Sequence, residues 1–287
     1  MKPAEFRYHR PATVSEAAEI LAEGEDAKPL AGGQSLVPLL NLRLSQPTDL
    51  VDLGGIEGLD DITNEGGAIR IGAMVRQATA ERDQNVRDSA PLLFAALRYV
   101  AHPQIRARGT VGGSLAHADP AAELPAALLA LEGAVIVEGT DGRRTIAAED
   151  CFRGFLTTAL APDEVLVEAT VPVQRSSERW GCTEIARRRG DYALAGAMVT
   201  VRTNGEAIED SRVVLFSVAS VPLRMRSVED VLAGRSIADP DAVRDAARVA
   251  SADLDPSTDL HATPEFKRHL AGVVVRRALE QAGEVRP

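Results

Sequence analysis

Two double-glycine loops are the feature that most constrains this chain. They lie at residues 31–36 (AGGQSL) and residues 110–115 (TVGGSL). Glycine pairs allow the backbone to turn with positive φ and to approach a ligand without a Cβ in the way. Successive amides can then form a concave nest that suits phosphate oxygens, and Ser35, Thr110 and Ser114 add hydroxyl groups. One such loop is usually an ordinary turn, but two with matching hydroxyls favour a shared site for a diphosphate.

Motifs of several other kinds of site are absent from the sequence. It contains no G-x-G of the Rossmann type, no Gly-Lys-Ser/Thr of a P-loop, no G-x-S-x-G and no H-E-x-x-H. His117 and Asp119 could form a catalytic pair, but no nucleophile stands beside them, so a role in structuring the loop is favoured. Cys151 and Cys182 lack C-x-x-C spacing, which argues against a disulfide framework and against a cysteine-rich metal or iron–sulfur site.

The charge balance limits the partners of the chain. Its formal net charge is -10, and an acidic chain repels nucleic acid unless it carries a local basic patch. The one clear basic run, residues 187–189 (RRR), is typical of a solvated strand end or loop. No segment approaches the roughly 20 apolar residues of a membrane span, and the N-terminus lacks the apolar stretch of a secretion signal. We therefore expect a cytoplasmic protein with no membrane span and no nucleic-acid partner.

Hydrophobic periodicity and capping signals predict an α+β protein. A chain of 287 residues with 45% hydrophobic residues can bury a sizeable core, and more than one domain is expected. Thr13 and Glu16 fit a capping box for a helix that ends near Gly24, and Thr263 opens the last helix. Further elements are predicted as helices at residues 36–44, 91–100 and 121–131, and as strands at residues 28–31, 50–53, 68–71, 135–138, 165–171, 195–201 and 213–218. Residues 172–177 are polar and irregular, which favours a linker.

Three ordered motifs resemble the signatures of a known family. The first is residues 30–38 (LAGGQSLVP) with Arg43, the second runs from residues 102–106 (HPQIR) through residues 108–120 (RGTVGGSLAHADP), and the third is residues 188–193 (RRGDYA). They resemble the FAD-binding medium subunits of molybdenum hydroxylases, a group that includes aerobic carbon monoxide dehydrogenase and the flavin domain of xanthine dehydrogenase. The resemblance covers essentially the whole chain.

The resemblance implies a fold and a set of cofactor residues. It implies an FAD-binding domain of the PCMH type at residues 1–174, with subdomains at about 1–55 and 56–174, related to the vanillyl-alcohol oxidase superfamily. A smaller C-terminal α+β domain follows at residues 178–287. The cofactor-binding residues implied are Lys28, Leu30, Ala31, Gly32, Gly33, Gln34, Ser35, Leu36, Gly109, Thr110, Val111, Gly112, Gly113, Ser114, Ala118, Glu123, Leu166 and Tyr192.

Four of these positions have specific implied roles. Glu123 falls where many relatives carry an Asp that contacts the flavin nucleotide, and Leu166 falls where the backbone meets the isoalloxazine ring. Tyr192 falls where an aromatic lies beside that ring; the alternative is a buried sheet aromatic. Some relatives attach FAD through a His in the first loop, but Gln34 is not a practical nucleophile, so noncovalent FAD is expected. With two cysteines, the chain cannot hold the extra iron–sulfur cluster of one branch by four thiolates.

The implied function is electron transfer by the flavin, with no catalytic side chain and no metal in this chain. A large partner subunit would carry the molybdenum cofactor and a small one [2Fe-2S] clusters, in a dimer of heterotrimers. FAD would take electrons from those clusters and pass them to an external acceptor. Two alternatives stay open at this point: a stand-alone FAD-dependent oxidoreductase of the same fold, and a nucleotide-binding module with no redox role.

Overall fold

The structure is a computed structural model that describes residues 2–284, so the expected domain limits at residues 1 and 287 lie outside the described residues. Its helices are α1 (Val14–Glu23), α2 (Leu36–Asn41), α3 (Gln77–Ala80), α4 (Gln84–Ser89), α5 (Pro91–Leu97), α6 (Pro103–Arg106), α7 (Val111–His117), α8 (Glu123–Ala130), α9 (Ala148–Cys151), α10 (Arg226–Leu232), α11 (Pro240–Ala252) and α12 (Pro264–Glu284). Its strands are β1 (Arg7–His9), β2 (Ala27–Leu30), β3 (Asp49–Asp52), β4 (Ile62–Glu65), β5 (Ala68–Gly72), β6 (Ala134–Gly139), β7 (Gly142–Ala147), β8 (Phe152–Gly154), β9 (Thr157–Thr158), β10 (Val165–Pro172), β11 (Arg179–Ala186), β12 (Ala193–Asn204), β13 (Ala207–Phe216) and β14 (Leu223–Arg224). The α+β fold class is confirmed.

The N-terminal part is a three-stranded parallel sheet in the order β1-β3-β2, covered by α1. The predicted cap of α1 is present, since the Thr13 hydroxyl accepts from the Glu16 amide at 3.1 Å and α1 ends before Gly24. The Glu16 carboxylate accepts from the amide of Ala12 at 2.8 Å. Ala12 is one residue before the Thr13 cap, whose own amide is the usual donor in a capping box. Because β2 runs directly into residues 31–36, this sheet fixes where the first glycine loop begins.

A five-stranded antiparallel sheet in the order β4-β5-β10-β6-β7 forms the middle of the chain. Helices α3 to α8 are inserted between β5 and β6, and α5 and α8 contribute Leu92, Leu97 and Leu124 to the same core as Ile69 and Ile71 of the sheet. The second glycine loop therefore lies within this helical insertion. Residues 111–117, which the sequence analysis treated as loop, form α7 with Thr110 as its N-cap.

Two predicted helices are shorter than expected. The helix predicted at residues 36–44 ends at Asn41, because Arg43 adopts a left-handed backbone with φ 57° and the Leu44 amide turns back to the Leu39 carbonyl. The helix predicted at residues 91–100 ends at Leu97, because the chain tightens into three-residue turns before Ala101, whose φ is 40°.

The C-terminal part is an antiparallel sheet in the order β11-β12-β13-β14, with α10, α11 and α12 against one face. The predicted cap of the last helix is present, since the Thr263 hydroxyl accepts from the Phe266 amide at 3.3 Å. The opposite face of the sheet places Cys182, Met198 and Phe216 in the core built by α5 and α8. Among residues 2–284, no helix has the length and apolar character to cross a membrane.

Candidate functional site

The two glycine loops meet in space and border one cavity of about 640 Å³. A Cβ built on Gly32 would lie 2.3 Å from the Arg108 carbonyl oxygen and 2.8 Å from the Gly109 Cα. A Cβ on Gly113 would lie 3.3 Å from the Ala31 Cβ. The loops therefore touch through their backbones, and the convergence expected from the sequence is present.

Most of the predicted cofactor residues line this cavity. Those that do are Lys28, Ala31, Gly32, Gly33, Gln34, Ser35, Leu36, Gly109, Thr110, Gly112, Gly113, Ser114, Glu123, Leu166 and Tyr192. The remaining three, Leu30, Val111 and Ala118, do not line it, and Val111 and Ala118 are buried in the core. Contact of these residues with a cofactor stays a prediction.

The first loop presents a row of free backbone amides. Within the described chain, the N–H groups of residues 32–36 donate to no acceptor. Gly33 has a φ of 71°, the left-handed conformation that lets neighbouring amides point to the same side. The Gln34 side chain folds back and its Nε2 donates to the Gly32 carbonyl oxygen at 3.1 Å, which holds the loop in this shape. A row of unpaired N–H groups at a cavity wall is suited to phosphate oxygens.

The second loop does not present such a row, and this corrects the sequence analysis. The Val111 amide donates to the Val75 carbonyl at 3.0 Å and the Gly112 amide donates to the Ala73 carbonyl at 3.0 Å. The Gly113 amide donates to the Thr110 hydroxyl at 3.0 Å, so that hydroxyl caps α7. The chain that leaves β5 supplies carbonyls beside this loop, a contact that the local sequence does not show. The second loop therefore offers fewer free amides than the first, although Gly109, Thr110, Gly112, Gly113 and Ser114 all line the cavity. Contact of these residues with a cofactor stays a prediction.

Apolar side chains from the segment between β8 and β10, and one exposed aromatic side chain, also line the cavity. Leu156, Leu160 and Leu166 line it, and a β-bulge follows Leu166 in the pairing of β10 with β6. Tyr192 also lines the cavity and is 70% exposed, so the alternative of a buried sheet aromatic is wrong. The lining of the cavity therefore combines free backbone amides with apolar side chains suited to a flat ring.

His102 and Gly190 were missed as individual site residues. Both line the cavity, and a Cβ on Gly190, whose φ is 87°, would lie 2.3 Å from the His102 Cε1. The His102 ring thus packs directly on the Gly190 backbone and ties the loop before Tyr192 to the chain that leads into α6. Both residues stand within the family motifs, so the signal was present in the sequence, but their contact was not visible there.

Two family models match the chain and together cover most of it. Residues 4–174 match the FAD binding domain in molybdopterin dehydrogenase, and residues 182–282 match the CO dehydrogenase flavoprotein C-terminal domain. The chain belongs to the FAD-binding medium subunits of the molybdenum hydroxylases. The recognition made from the three motifs is confirmed, as is the assignment of this medium subunit to the oxidoreductases.

Individual relatives match this medium subunit from end to end. The nicotine 6-hydroxylase medium subunit of Paenarthrobacter nicotinovorans is 40% identical over 99% of this chain and 99% of its own. The carbon monoxide dehydrogenase medium chain of Hydrogenophaga pseudoflava is 38% identical over 98% of each chain. A solved structure of carbon monoxide dehydrogenase from Hydrogenophaga pseudoflava matches with a TM-score of 0.95 at 39% identity, covering 99% of each chain.

The acidic side chains of the cavity differ in their surroundings. Glu164 is ion-paired with Arg144 at 2.6 Å, which lowers the pKa of its carboxyl. Glu123 is only 8% exposed, and burial together with the nearby Glu184 raises the pKa of Glu123 to about 8. Within residues 2–284, no group of three or more His, Cys, Asp or Glu residues is arranged to hold a metal ion. The cavity therefore has the donors of a nucleotide site and, in the described chain, no metal centre beside it.

Proposed function

We propose that this medium subunit binds FAD noncovalently in the cavity between the glycine loops and passes electrons from [2Fe-2S] clusters of a small partner subunit to an external acceptor. The observation that carries the proposal is the row of free amides at residues 32–36 beside a cavity that is also lined by apolar side chains. The amides would hold the diphosphate, and the apolar side chains with Tyr192 would hold the ring system. Residues 1–174 would form the FAD-binding domain and residues 178–287 the C-terminal domain.

The relatives support placing substrate chemistry in another subunit. Two chains similar to this one along their whole length belong to complexes named for nicotine and for carbon monoxide, which are chemically unlike. A large subunit with the molybdenum cofactor would therefore choose and convert the substrate, in a cytoplasmic dimer of heterotrimers.

The residues of this chain would bind and orient FAD rather than react with substrate. Bound FAD supplies the chemistry of accepting single electrons and releasing them in pairs. Gln34 keeps the first loop in shape through Gly32, and Ser35 and Ser114 add hydroxyl donors at the lining. Leu156, Leu160 and Leu166 line the cavity and would pack against the ring system. These contacts position the cofactor with no covalent link.

Co-purification tests this proposal. The chain is expressed with and without its candidate partner subunits, and flavin, iron and molybdenum are measured in each preparation. We expect FAD with this chain, and iron and molybdenum only in the assembled complex. Substrate turnover by the chain alone would favour the stand-alone oxidoreductase, and a purified chain that takes up no FAD would contradict the flavin site.

Replacement of Tyr192 tests the placement of the ring system. We expect Tyr192→Ala to retain FAD, because the amides of residues 32–36 are unchanged, but to change the rate of flavin reduction at least several-fold. The Tyr192 ring is exposed at the mouth of the cavity, where an aromatic can stack on a flat cofactor and control access to it. Stopped-flow absorbance of the assembled complex measures the rate, and Tyr192→Phe, which keeps the ring, is the matched control. Unchanged kinetics in Tyr192→Ala would remove Tyr192 from the site.

A further inference from the structure

The loop that carries Tyr192 joins β11 to β12 and is held at two places. At its base, Ala186 of β11 pairs with Ala193 of β12. Near its tip, Gly190 has a φ of 87°, and a Cβ built on it would lie 2.3 Å from the His102 Cε1 and 2.5 Å from the His102 Nδ1. The His102 ring therefore fills the space that a side chain at position 190 would need. Tyr192 lies between these two points of the chain and lines the cavity.

Within the loop itself, the contacts are weak. The three arginines at residues 187–189 are exposed, as are Asp191 and Tyr192. The Asp191 amide donates to the Arg188 carbonyl at 3.1 Å, and the side chains of the same two residues form an exposed ion pair at 3.9 Å. Such a pair contributes little stability, because water screens both charges. The packing of His102 on Gly190 is therefore the contact best placed to fix the loop beyond its base.

The His102 ring is in turn aimed by a strained turn. Ala101, the residue before it, has a left-handed backbone with φ 40°, which costs free energy for alanine and persists only where surrounding contacts enforce it. The buried Arg106 guanidinium supplies those contacts, since it donates to the Val100 carbonyl at 2.8 Å and to the Ala101 carbonyl at 3.3 Å. Arg106 is itself fixed by both carboxylate oxygens of Glu81, at 2.8 Å and 3.1 Å. The direction in which the chain enters His102 is thus set from the protein interior.

We propose that His102 is a positioning residue that holds the loop between β11 and β12 and so keeps Tyr192 against the cofactor cavity. The consequence for the flavin rests on the proposed function, because it is Tyr192 that lies beside the ring system there. His102 acts on Tyr192 through the Gly190 backbone. The strained turn at Ala101 has a use in this arrangement, since it directs the imidazole toward the loop.

Trypsin is a direct probe of this contact, because the loop carries three exposed arginines and proteases cut where a segment is exposed and opens readily. The FAD-free full chain is digested, and cleavage after residues 187–189 is followed by mass spectrometry. We expect His102→Ala to be cut there several-fold faster than wild type, since removal of the ring frees the loop beyond its base. His102→Phe keeps a flat ring and should be cut at close to the wild-type rate.

Cleavage after Arg175 is the internal control, because this residue is exposed in the segment between β10 and β11. Its rate should be the same in His102→Ala and wild type. A His102→Ala loop that is cut no faster than the wild-type loop overturns the proposal. If both places are cut faster, the variant is loosened as a whole and Gly190→Ala decides. Its Cβ cannot share the space of the ring, so its loop should be cut faster with cleavage after Arg175 unchanged, and a wild-type rate in the loop overturns the proposal.

Flavin reduction in the assembled complex, measured by stopped-flow absorbance, tests the effect on Tyr192. We expect His102→Ala to retain FAD and to change the rate in the same direction as Tyr192→Ala. The double variant should match Tyr192→Ala, because a residue that acts through Tyr192 has no further effect once that ring is gone. His102→Phe should restore the rate. A wild-type rate in His102→Ala beside an altered rate in Tyr192→Ala overturns the positioning role.

The two measurements separate this inference from the proposed function. If trypsin shows a freed loop in His102→Ala but Tyr192→Ala reduces its flavin at the wild-type rate, the placement of the ring system fails and the hold of His102 on the loop stands. If the assembled complex contains no FAD, the proposed function fails, and the digestion of the FAD-free chain still decides whether His102 holds the loop.

Discussion

Gly32→Ala should give a folded medium subunit that does not retain FAD. The added Cβ would lie 2.3 Å from the Arg108 carbonyl oxygen and 2.8 Å from the Gly109 Cα. Both are backbone atoms, so neither can rotate out of the way, and the two loops have to separate. The amides of residues 32–36 then lose their alignment, and these are the free donors that the proposed diphosphate site depends on. Because the loop is at the surface of the cavity and not in the core, the rest of the fold should persist.

Flavin content per chain, measured by absorbance after purification, is the readout for Gly32→Ala, with circular dichroism and the melting temperature as checks on the fold. Gly283→Ala is the matched control, since its Cβ would meet nothing closer than 3.8 Å and it lies in the last turn of α12. We expect at least tenfold lower flavin occupancy in Gly32→Ala and wild-type occupancy in Gly283→Ala. Wild-type occupancy in a folded Gly32→Ala would show that the first loop does not hold the diphosphate.

The sequence predicted the secondary structure best where the signals are local. The cap at Thr13, the end of α1 before Gly24 and the start of α12 depend on neighbouring residues, and each is present. The pairing of the two glycine loops was also predictable, because three ordered motifs carry it. The helix ends at Asn41 and Leu97 were not predictable. The left-handed residues that follow them, Arg43 and Ala101, are neither Gly nor Pro and so give no signal in the sequence.

The chemistry of the site depends on contacts between distant segments, which the sequence does not display. Gly112 and Gly33 look alike as members of a Gly-Gly pair. Only the structure shows that the Gly112 amide donates to the Ala73 carbonyl, whereas the amides around Gly33 have no acceptor in the described chain. Identical local patterns can therefore leave backbone amides free in one place and occupied in another.

Gly112→Val should destabilise the fold itself, which distinguishes it from Gly32→Ala. A Cβ on Gly112 would lie 2.5 Å from the Ala73 Cβ, 2.6 Å from its Cα and 2.8 Å from its carbonyl oxygen. Gly112 is buried where α7 packs on the chain that leaves β5, and the Ala73 atoms that the new Cβ would meet cannot rotate away. Overpacking of this kind costs about 3 kcal/mol, and in a chain of this size that loss lowers Tm by roughly 6–10 °C.

Thermal unfolding of the FAD-free chain is the decisive measurement for Gly112→Val, because it removes the contribution of bound cofactor to Tm. In that state Gly32→Ala should melt within a few degrees of wild type, and Gly112→Val should melt well below both. FAD retention should be poor in both variants but for different reasons: a displaced amide row in Gly32→Ala and a disrupted α7 in Gly112→Val. An FAD-free Gly112→Val chain that melts like wild type while failing to bind FAD would place the cofactor against Gly112 and would restore the second loop as a direct ligand.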